Sequence, residues 1–137
     1  MRTGLTLLLL IGLATPAAAQ GADTLPARVA ERQIETFNRR DIDGFMALYA
    51  EDAVVSEFPS GAVVARGKPA IRKRYADMFR TLGPDFPPVR VDQRVVDGPF
   101  VLDDETWDTP AGQRNRAIWM YEIRGGLIQK AWTVMMR

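Results

Sequence analysis

The sequence predicts an α+β fold in which a curved antiparallel β-sheet wraps around three N-terminal helices. Three observations lead to this prediction. Apolar residues recur at helical spacing in three segments before residue 83, alternating segments fill the chain after residue 88, and the pairs Asp97-Gly98 and Gly125-Gly126 are typical of hairpin turns. A sheet curved around helices leaves a concave mouth, and small-molecule pockets favour such mouths.

The first two helices are predicted from the stretch "DTLPARVAERQIETFNRRDIDGFMALYAED". Asp23 or Thr24 can cap the first helix, and Pro26 suits its first turn. Its apolar stripe contains one amide, Gln33. Asp41 can cap the shorter second helix, whose residues on the inward side are Ile42, Phe45, Leu48 and Tyr49.

The third helix is predicted within residues 66–83, with Pro69 near its start and Gly83 just past its end. The proline-rich residues 83–88 suit a connector because proline is excluded from helix interiors and central strands. Strands are predicted over residues 53–58, 63–65, 89–96, 100–107, 114–123 and 127–136.

The composition excludes several classes of function. The chain has no histidine and no cysteine, which excludes Ser-His-Asp chemistry, thiol chemistry and most zinc sites. Acidic residues are not spaced as metal ligands in any loop, so we expect no metal and no cofactor. The net charge is +1 and the basic segment 66–75 is interpreted as a solvated helix face, so we expect no nucleic-acid binding.

The N-terminal residues have the pattern of a secretory signal peptide. Arg2 precedes an apolar run over residues 5–13, and Ala17 and Ala19 match a cleavage site. The apolar run is too short for a spanning helix. We therefore expect a signal peptide over residues 1–19, a single domain over residues 20–137, a periplasmic or secreted location, and no membrane attachment after cleavage.

A carboxylate lies on the apolar side of the first predicted strand. Side chains alternate along a strand, so Glu57 is on the same side as Ala53 and Val55. In a concave apolar setting its pKa would be raised, as a general base for carbon-bound protons requires. Alternatively, Glu57 reaches water at the strand end or pairs with Arg66.

Other residues are candidates for the wall of a pocket. Trp119 and Tyr121 share one face of their strand, and an aromatic wall suits a flat apolar ligand. In "VLDDETWD" Asp104 shares the face of Phe100 and Leu102, while Asp103 and Glu105 lie opposite, and the alternation leaves open which acid faces inward. The candidate lining residues are Tyr49, Val55, Asp104, Trp119 and Tyr121.

Four further stretches are informative in their order and spacing: "FNRRDIDGFMALYAEDAVV", "ARGKPAIRKRYADMF", "GPFVLDDETW" and "MYEIRGGLIQKAW". Together they resemble the nuclear transport factor 2-like superfamily, and within it the SnoaL-like and steroid Δ-isomerase-like proteins. The resemblance implies a cone-shaped, cystatin-like α+β fold with a pocket at its wide end. It also implies a homodimer formed through the outer sheet face.

The resemblance extends in part to the catalytic residues of ketosteroid isomerases. Their catalytic base falls on Glu57, the tyrosine of their first helix falls on Gln33, and their second carboxylic acid falls on or near Trp119. The resemblance therefore implies Glu57 as base and Gln33 as the orienting group. A true ketosteroid isomerase is not expected, since both oxyanion donors differ. From the residues alone, Gln33 also suits a core amide bonded to the backbone.

Two functions are expected on this basis. The first is an exported, cofactor-free isomerase, cyclase or lyase that acts on a hydrophobic carbonyl or cyclic compound. The alternative is a non-catalytic periplasmic ligand-binding or dimeric interaction domain of the same fold. Both have a small hydrophobic ligand as partner.

Overall fold

The computed structural model describes residues 24–136 of the chain. The predicted signal peptide lies outside the described residues and stays a prediction. Within residues 24–136, no helix combines the length and the apolar character that crossing a membrane requires.

The three predicted helices are present and begin at the expected caps. Helix α1 spans Leu25–Asn38, and the Thr24 side chain accepts a hydrogen bond from the Ala27 amide at 3.4 Å. Helix α2 spans only Ile42–Met46, where the Asp41 carboxylate accepts from the Gly44 amide at 2.9 Å. Helix α3, Lys68–Leu82, follows Gly67 and ends at Gly83, whose φ of 71° favours glycine.

Six strands form one sheet in the order β2-β1-β6-β5-β4-β3. Their bounds are β1 Tyr49–Glu57, β2 Val63–Arg66, β3 Arg90–Asp97, β4 Phe100–Asp108, β5 Arg114–Arg124 and β6 Leu127–Met136. The sheet is mixed rather than purely antiparallel, because β1 and β6 pair in parallel. Most of the chain intervenes between these two strands, so no hairpin turn constrains their relative direction.

The sheet is open, with β2 and β3 at its edges, and helices cover its inner face. Helix α1 contacts β3, β4 and β5, while α3 contacts β1 and β2. Register shifts interrupt four of the five strand pairs, at Val55/Ser56, Tyr49/Val54, Val91/Gln93 and Glu122/Ile123. An irregular register of this kind bends strands and increases their twist, which is how the sheet follows the helices.

An aromatic cluster fills the space between the helices and the sheet. Tyr75 lies 4.5 Å from Phe45 between ring centroids, and Phe37 lies 5.3 Å from Phe79. Tyr49 stacks at 5.1 Å from Phe45 and begins β1, whereas the sequence placed it in the second helix. The helix ends early because the Leu48 carbonyl accepts from the Ile128 amide at 2.8 Å, which draws the chain into the sheet.

The connector between α3 and β3 is fixed to the end of α1. The Asn38 side-chain amide donates to the Val89 carbonyl at 2.9 Å, and its oxygen accepts from the Val89 amide at 2.9 Å. The Arg40 guanidinium lies within 5.3–5.8 Å of the ring centroids of Phe37, Phe79 and Phe86. These contacts place the connector across one end of the space between α1, α3 and the sheet.

Candidate functional site

A cavity of about 240 Å³ lies between α1, α3, the connector and strands β4 and β5. Its lining is mostly apolar and aromatic. The lining residues are Gln33, Ile34, Phe37, Tyr75, Met78, Leu82, Phe86, Val89, Glu105, Trp107 and Trp119. A predominantly apolar cavity with few polar groups is the usual form of a small-molecule site.

Glu105 provides the only carboxyl group among the residues that line this cavity. Alternation along β4 turns Val101, Asp103 and Glu105 inward, and Glu105 is only 5% exposed. Burial raises the pKa of the Glu105 carboxyl to about 8, and the negative charge of Asp103 acts in the same direction. A hydrogen bond from the Tyr121 hydroxyl at 3.3 Å and the charge of Arg94 oppose the shift. At pH 7 this carboxyl is therefore mostly protonated and can donate a hydrogen bond.

Asp103, two residues earlier on the same face, is fully buried and forms an ion pair with Arg94. The Arg94 guanidinium donates to both of its oxygens, at 2.7 and 2.8 Å. It also donates to the Glu31 carboxylate at 2.6 Å and to the Ala27 carbonyl at 3.3 Å, both on α1. Breaking a buried ion pair by removing one partner is costly, so this network holds α1 against β3 and β4.

Gln33 and Tyr75 line the cavity, and Tyr49 and Tyr121 are buried in the core near them. Burial raises the pKa of the Tyr49, Tyr75 and Tyr121 hydroxyls above the usual tyrosine value, so all three are neutral donors at pH 7. Gln33 and Tyr75 lie close enough to Tyr49 to affect its pKa. Within residues 24–136, the buried Gln33 Oε1 and the Tyr49 hydroxyl have no hydrogen-bond partner at normal geometry. Because Gln33 lines the cavity, its amide oxygen can accept a hydrogen bond from a ligand.

The described residues contain no group of three or more acidic, cysteine or histidine side chains arranged to hold a metal ion. The chemistry that these side chains offer is proton donation from Glu105 and hydrogen bonding from tyrosine and glutamine.

A family model described as a SnoaL-like domain matches residues 30–131. The chain belongs to this SnoaL-like family. No curated protein sequence matches it.

Solved structures share the fold of this SnoaL-like chain at low sequence identity. A cystatin-fold protein from Novosphingobium aromaticivorans is 19% identical, with 80% of this chain and 97% of that one covered and a TM-score of 0.70. An NTF2-like protein of unknown function from Mesorhizobium loti is 18% identical, with 85% and 94% covered and a TM-score of 0.69. A protein with a ketosteroid isomerase-like fold from Catenulispora acidiphila, in complex with trimethylamine, is 15% identical, with 77% and 83% covered and a TM-score of 0.61. The predicted nuclear transport factor 2-like, α+β fold is confirmed.

The residues predicted for the site fall in different parts of the SnoaL-like fold. Gln33 and Trp119 line the cavity. Tyr121 is buried behind Glu105 and donates to it, and Tyr49 is buried near Gln33. Val55 is 1% exposed and packs in the core.

Glu57 does not lie in the cavity, and the expectation that it is enclosed among apolar groups is wrong. It is the last residue of β1 and its side chain is exposed, although Ala53 and Val55 on the same side are buried. The alternation was read correctly, but residues 24–136 leave the side chain at this strand end exposed. No ion pair joins Glu57 to Arg66 among the described contacts either, since the nearby ion pair is between Lys68 and Glu51.

Asp104 is also misplaced by the sequence interpretation. It lies on the outer face of β4, where Arg116 of β5 donates to both of its oxygens at 2.7 and 2.6 Å. Sequence reasoning left Glu105 as one of three open choices because both faces of β4 carry apolar residues. The ion-pair partners distinguish the two faces. Arg94 pairs with Asp103 on the inward face, and Arg116 pairs with Asp104 on the outward face.

The raised pKa of Glu105 makes a prediction about stability. The folded protein retains a proton on Glu105 that the unfolded chain releases above about pH 4.5, so the free energy of unfolding falls as pH rises and the loss is complete above about pH 8. Each pKa unit corresponds to about 1.4 kcal/mol. We expect Glu105→Gln to flatten this decline in urea unfolding measured between pH 5 and pH 9.

Glu57→Gln is the matched control, because Glu57 is exposed. This variant should keep the wild-type slope. An unchanged slope in Glu105→Gln would show that Glu105 is ionised in the folded protein near neutral pH.

Proposed function

We propose that this SnoaL-like protein binds a small, mainly apolar carbonyl compound and transfers a proton on it through Glu105. The observation that carries the proposal is the buried Glu105 carboxyl group at the wall of an apolar cavity, where burial raises its pKa to about 8. Perturbed carboxylic acids of this kind concentrate at sites of proton transfer. The expected proton chemistry is retained, and its carboxyl group is moved from Glu57 to Glu105.

In the proposed reaction Glu105 acts first as an acid. Its hydroxyl donates a proton to the carbonyl oxygen while a proton leaves the adjacent carbon, giving the enol. The carboxyl group receives that carbon-bound proton on its other oxygen, so it is regenerated as the neutral acid. In the return step the carboxyl group gives its proton to a different carbon of the enol system and takes the enol O–H proton on its other oxygen, which completes an isomerisation without any change in oxidation state.

The neighbours of Glu105 support this role. The Tyr121 hydroxyl holds one carboxyl oxygen at 3.3 Å, which fixes the orientation of the group. Gln33 lies at the same end of the cavity and provides an amide that can orient a polar group of the ligand. Ionised Asp103 opposes ionisation of Glu105 and so favours the acid form.

A second candidate function is a ligand carrier without chemistry. The observation that favours it is that Glu105 is the only carboxyl group among the described cavity residues, so a separate base is not supplied there. In that case the Glu105 hydroxyl would bind the ligand through a hydrogen bond alone.

Hydrogen–deuterium exchange at the carbon next to a carbonyl separates these functions. In D₂O at pH 7, we expect the wild-type protein to accelerate loss of the α-proton NMR signal of 1-indanone. Glu105→Gln should reduce this acceleration by about 10²–10⁴-fold, the usual contribution of an acid–base group. Glu57→Gln should leave it unchanged.

The wild-type exchange rate should also fall above pH 8 as Glu105 ionises. Binding of 1-indanone without any accelerated exchange would favour the carrier. Accelerated exchange that survives in Glu105→Gln would refute the role of this residue.

We also propose that a second copy of the chain covers the outer face of the sheet. Strand register places Val95, Leu102, Met120 and Trp132 in one row across four strands. Val95 is 53% exposed and Leu102 is 37% exposed. The nearby charges already pair within the chain, Asp104 with Arg116 and Glu122 with Arg124 and Lys130. An apolar row with self-neutralised charges suits a two-fold symmetric interface with an identical face.

Sedimentation velocity tests this interface. The wild-type protein should sediment as a dimer at micromolar concentration, and Leu102→Glu should shift it to monomer by placing unpaired charges opposite each other. The cavity is on the other face, so binding of 1-indanone should persist. A monomeric wild-type protein would contradict the proposal.

Export is proposed from the N-terminal pattern alone. Expression of the whole chain in a Gram-negative host should give a periplasmic protein whose mature N-terminus, read by mass spectrometry, is Gln20. An intact N-terminus in the cytoplasmic fraction would contradict it.

A further inference from the structure

The size of the cavity restricts its ligand. An apolar cavity of about 150 Å³ holds benzene, while drug-sized ligands occupy roughly 300–1,000 Å³. The cavity here, at about 240 Å³, lies between these limits. It therefore has room to enclose one ring or two fused rings, whereas a four-ring steroid exceeds it.

The shape of the walls adds a second restriction. Trp119 lines the cavity, and the fully buried Tyr121 ring stacks against it, with an interplanar angle of 9° and centroids 6.1 Å apart. Trp107 lies two residues beyond Glu105 on the same face of β4 and also lines the cavity. Flat aromatic side chains on either side of the carboxyl group favour a planar ligand, which can pack on them with most of its surface.

The residue opposite the Glu105 carboxyl is small. Strand register places Ala117 of β5 directly opposite Glu105, where side chains of a cross-strand pair are in contact range. Ala117 is fully buried and is not one of the residues that line the cavity. A ligand oxygen would therefore approach Glu105 from the cavity, where Gln33 and Trp119 also lie.

The connector bounds one side of the cavity. Phe86 lines the cavity there, and the Arg40 guanidinium lies 5.6 Å from the Phe86 ring centroid. Arg40 also donates to the Phe37 carbonyl at 2.7 Å, which fixes it to the end of α1. The Phe86 ring therefore limits how far a ligand can extend toward the connector.

We propose that the ligand is a planar compound of one or two fused rings with a carbonyl oxygen, bound between Trp107 and Trp119 with that oxygen at Glu105. This inference rests on the proposed function for the position of the carbonyl group. It goes further by fixing the size class, the planarity and the residues that impose them.

Protonation of Glu105 determines the polar part of this selectivity. The groups that act on this carboxyl are Asp103 on its own strand, Arg94 on β3 and Tyr121 on β5. The charge of Glu105 in turn raises the pKa of Tyr49 on β1 and of Tyr75 on α3. Glu31 on α1 acts on Glu105 only indirectly, through its ion pair with Arg94. The three tyrosines remain neutral through pH 9, so ionisation of Glu105 is the change that a carbonyl oxygen would detect.

Tryptophan fluorescence measures binding directly. The chain has three tryptophans, of which Trp107 and Trp119 line the cavity. Trp132 is on the outer face, so Trp132→Phe gives a reporter whose two remaining indoles both lie at the site. The probes are 1-indanone, indane as its match without oxygen, and androst-4-ene-3,17-dione as a four-ring enone.

At pH 6.5 we expect saturable binding of 1-indanone about tenfold tighter than indane, the value of one additional hydrogen bond. This advantage should disappear at pH 9.5, while indane binds equally at both pH values. The steroid should give no saturable change. In Glu105→Gln the amide still donates, so 1-indanone should bind equally at both pH values, and Glu57→Gln should behave as wild type.

Steroid binding as tight as that of 1-indanone would overturn the size restriction. Equal binding of indane and 1-indanone at pH 6.5, or pH dependence that persists in Glu105→Gln, would overturn the placement of the carbonyl oxygen. These readouts concern binding only. Failure of the proton-transfer proposal alone would leave the binding pattern intact and abolish the deuterium exchange.

Discussion

Of the two carboxyl groups on the inner face of β4, Asp103 is paired with an arginine and Glu105 is not, among the described contacts. Asp103 and Glu105 are adjacent on that face, and both are almost completely excluded from water. Arg94 donates to both oxygens of Asp103 and to Glu31 on α1, and no described hydrogen bond joins it to Glu105. Since an ionised group without a partner is strongly disfavoured inside a protein, Glu105 keeps its proton.

The same ion pair has a structural consequence. Arg94 joins β3, β4 and α1, so the network that leaves Glu105 protonated also holds the helix that supplies Gln33 to the cavity. The position of Gln33 and the protonation of Glu105 therefore depend on the same set of contacts. Replacing that network with apolar residues would preserve packing and remove the charge that favours the neutral acid.

The cavity lies beside the aromatic part of the core. The aromatic cluster around Phe45 and Tyr75 packs between the helices and the sheet. Toward β4 and β5 the cavity is lined instead by Glu105, Trp107 and Trp119. The connector, fixed by Asn38 and Arg40, then covers the end of the remaining space. A site of this kind is formed by geometry around the core rather than by a sequence motif.

These features explain how far the sequence could be interpreted. Caps at Thr24 and Asp41 and the glycine after α3 are local signals, and they predicted correctly where α1 and α2 begin and where α3 ends. The early end of α2 was not predicted, because it depends on the contact between Leu48 and Ile128. The Glu57 prediction failed because alternation gives the side of a strand but not the extent of the layer that covers it. Whether Glu57 is enclosed depends on where helices end above β1, and that is decided by tertiary packing.

The uncertainty at β4 has a different origin. Sequence alternation identifies the buried face of a strand only when the other face is polar. Here Val101 lies on the inner face and Phe100 and Leu102 on the outer one, so both faces are apolar and the pattern is ambiguous. In the structure the arginines show which face is which. Asp103 pairs with Arg94 of β3 on the inner face, and Asp104 pairs with Arg116 of β5 on the outer face. A strand with two apolar faces is itself informative: it has two surfaces to cover, and in the described residues only the inner one is covered by helices.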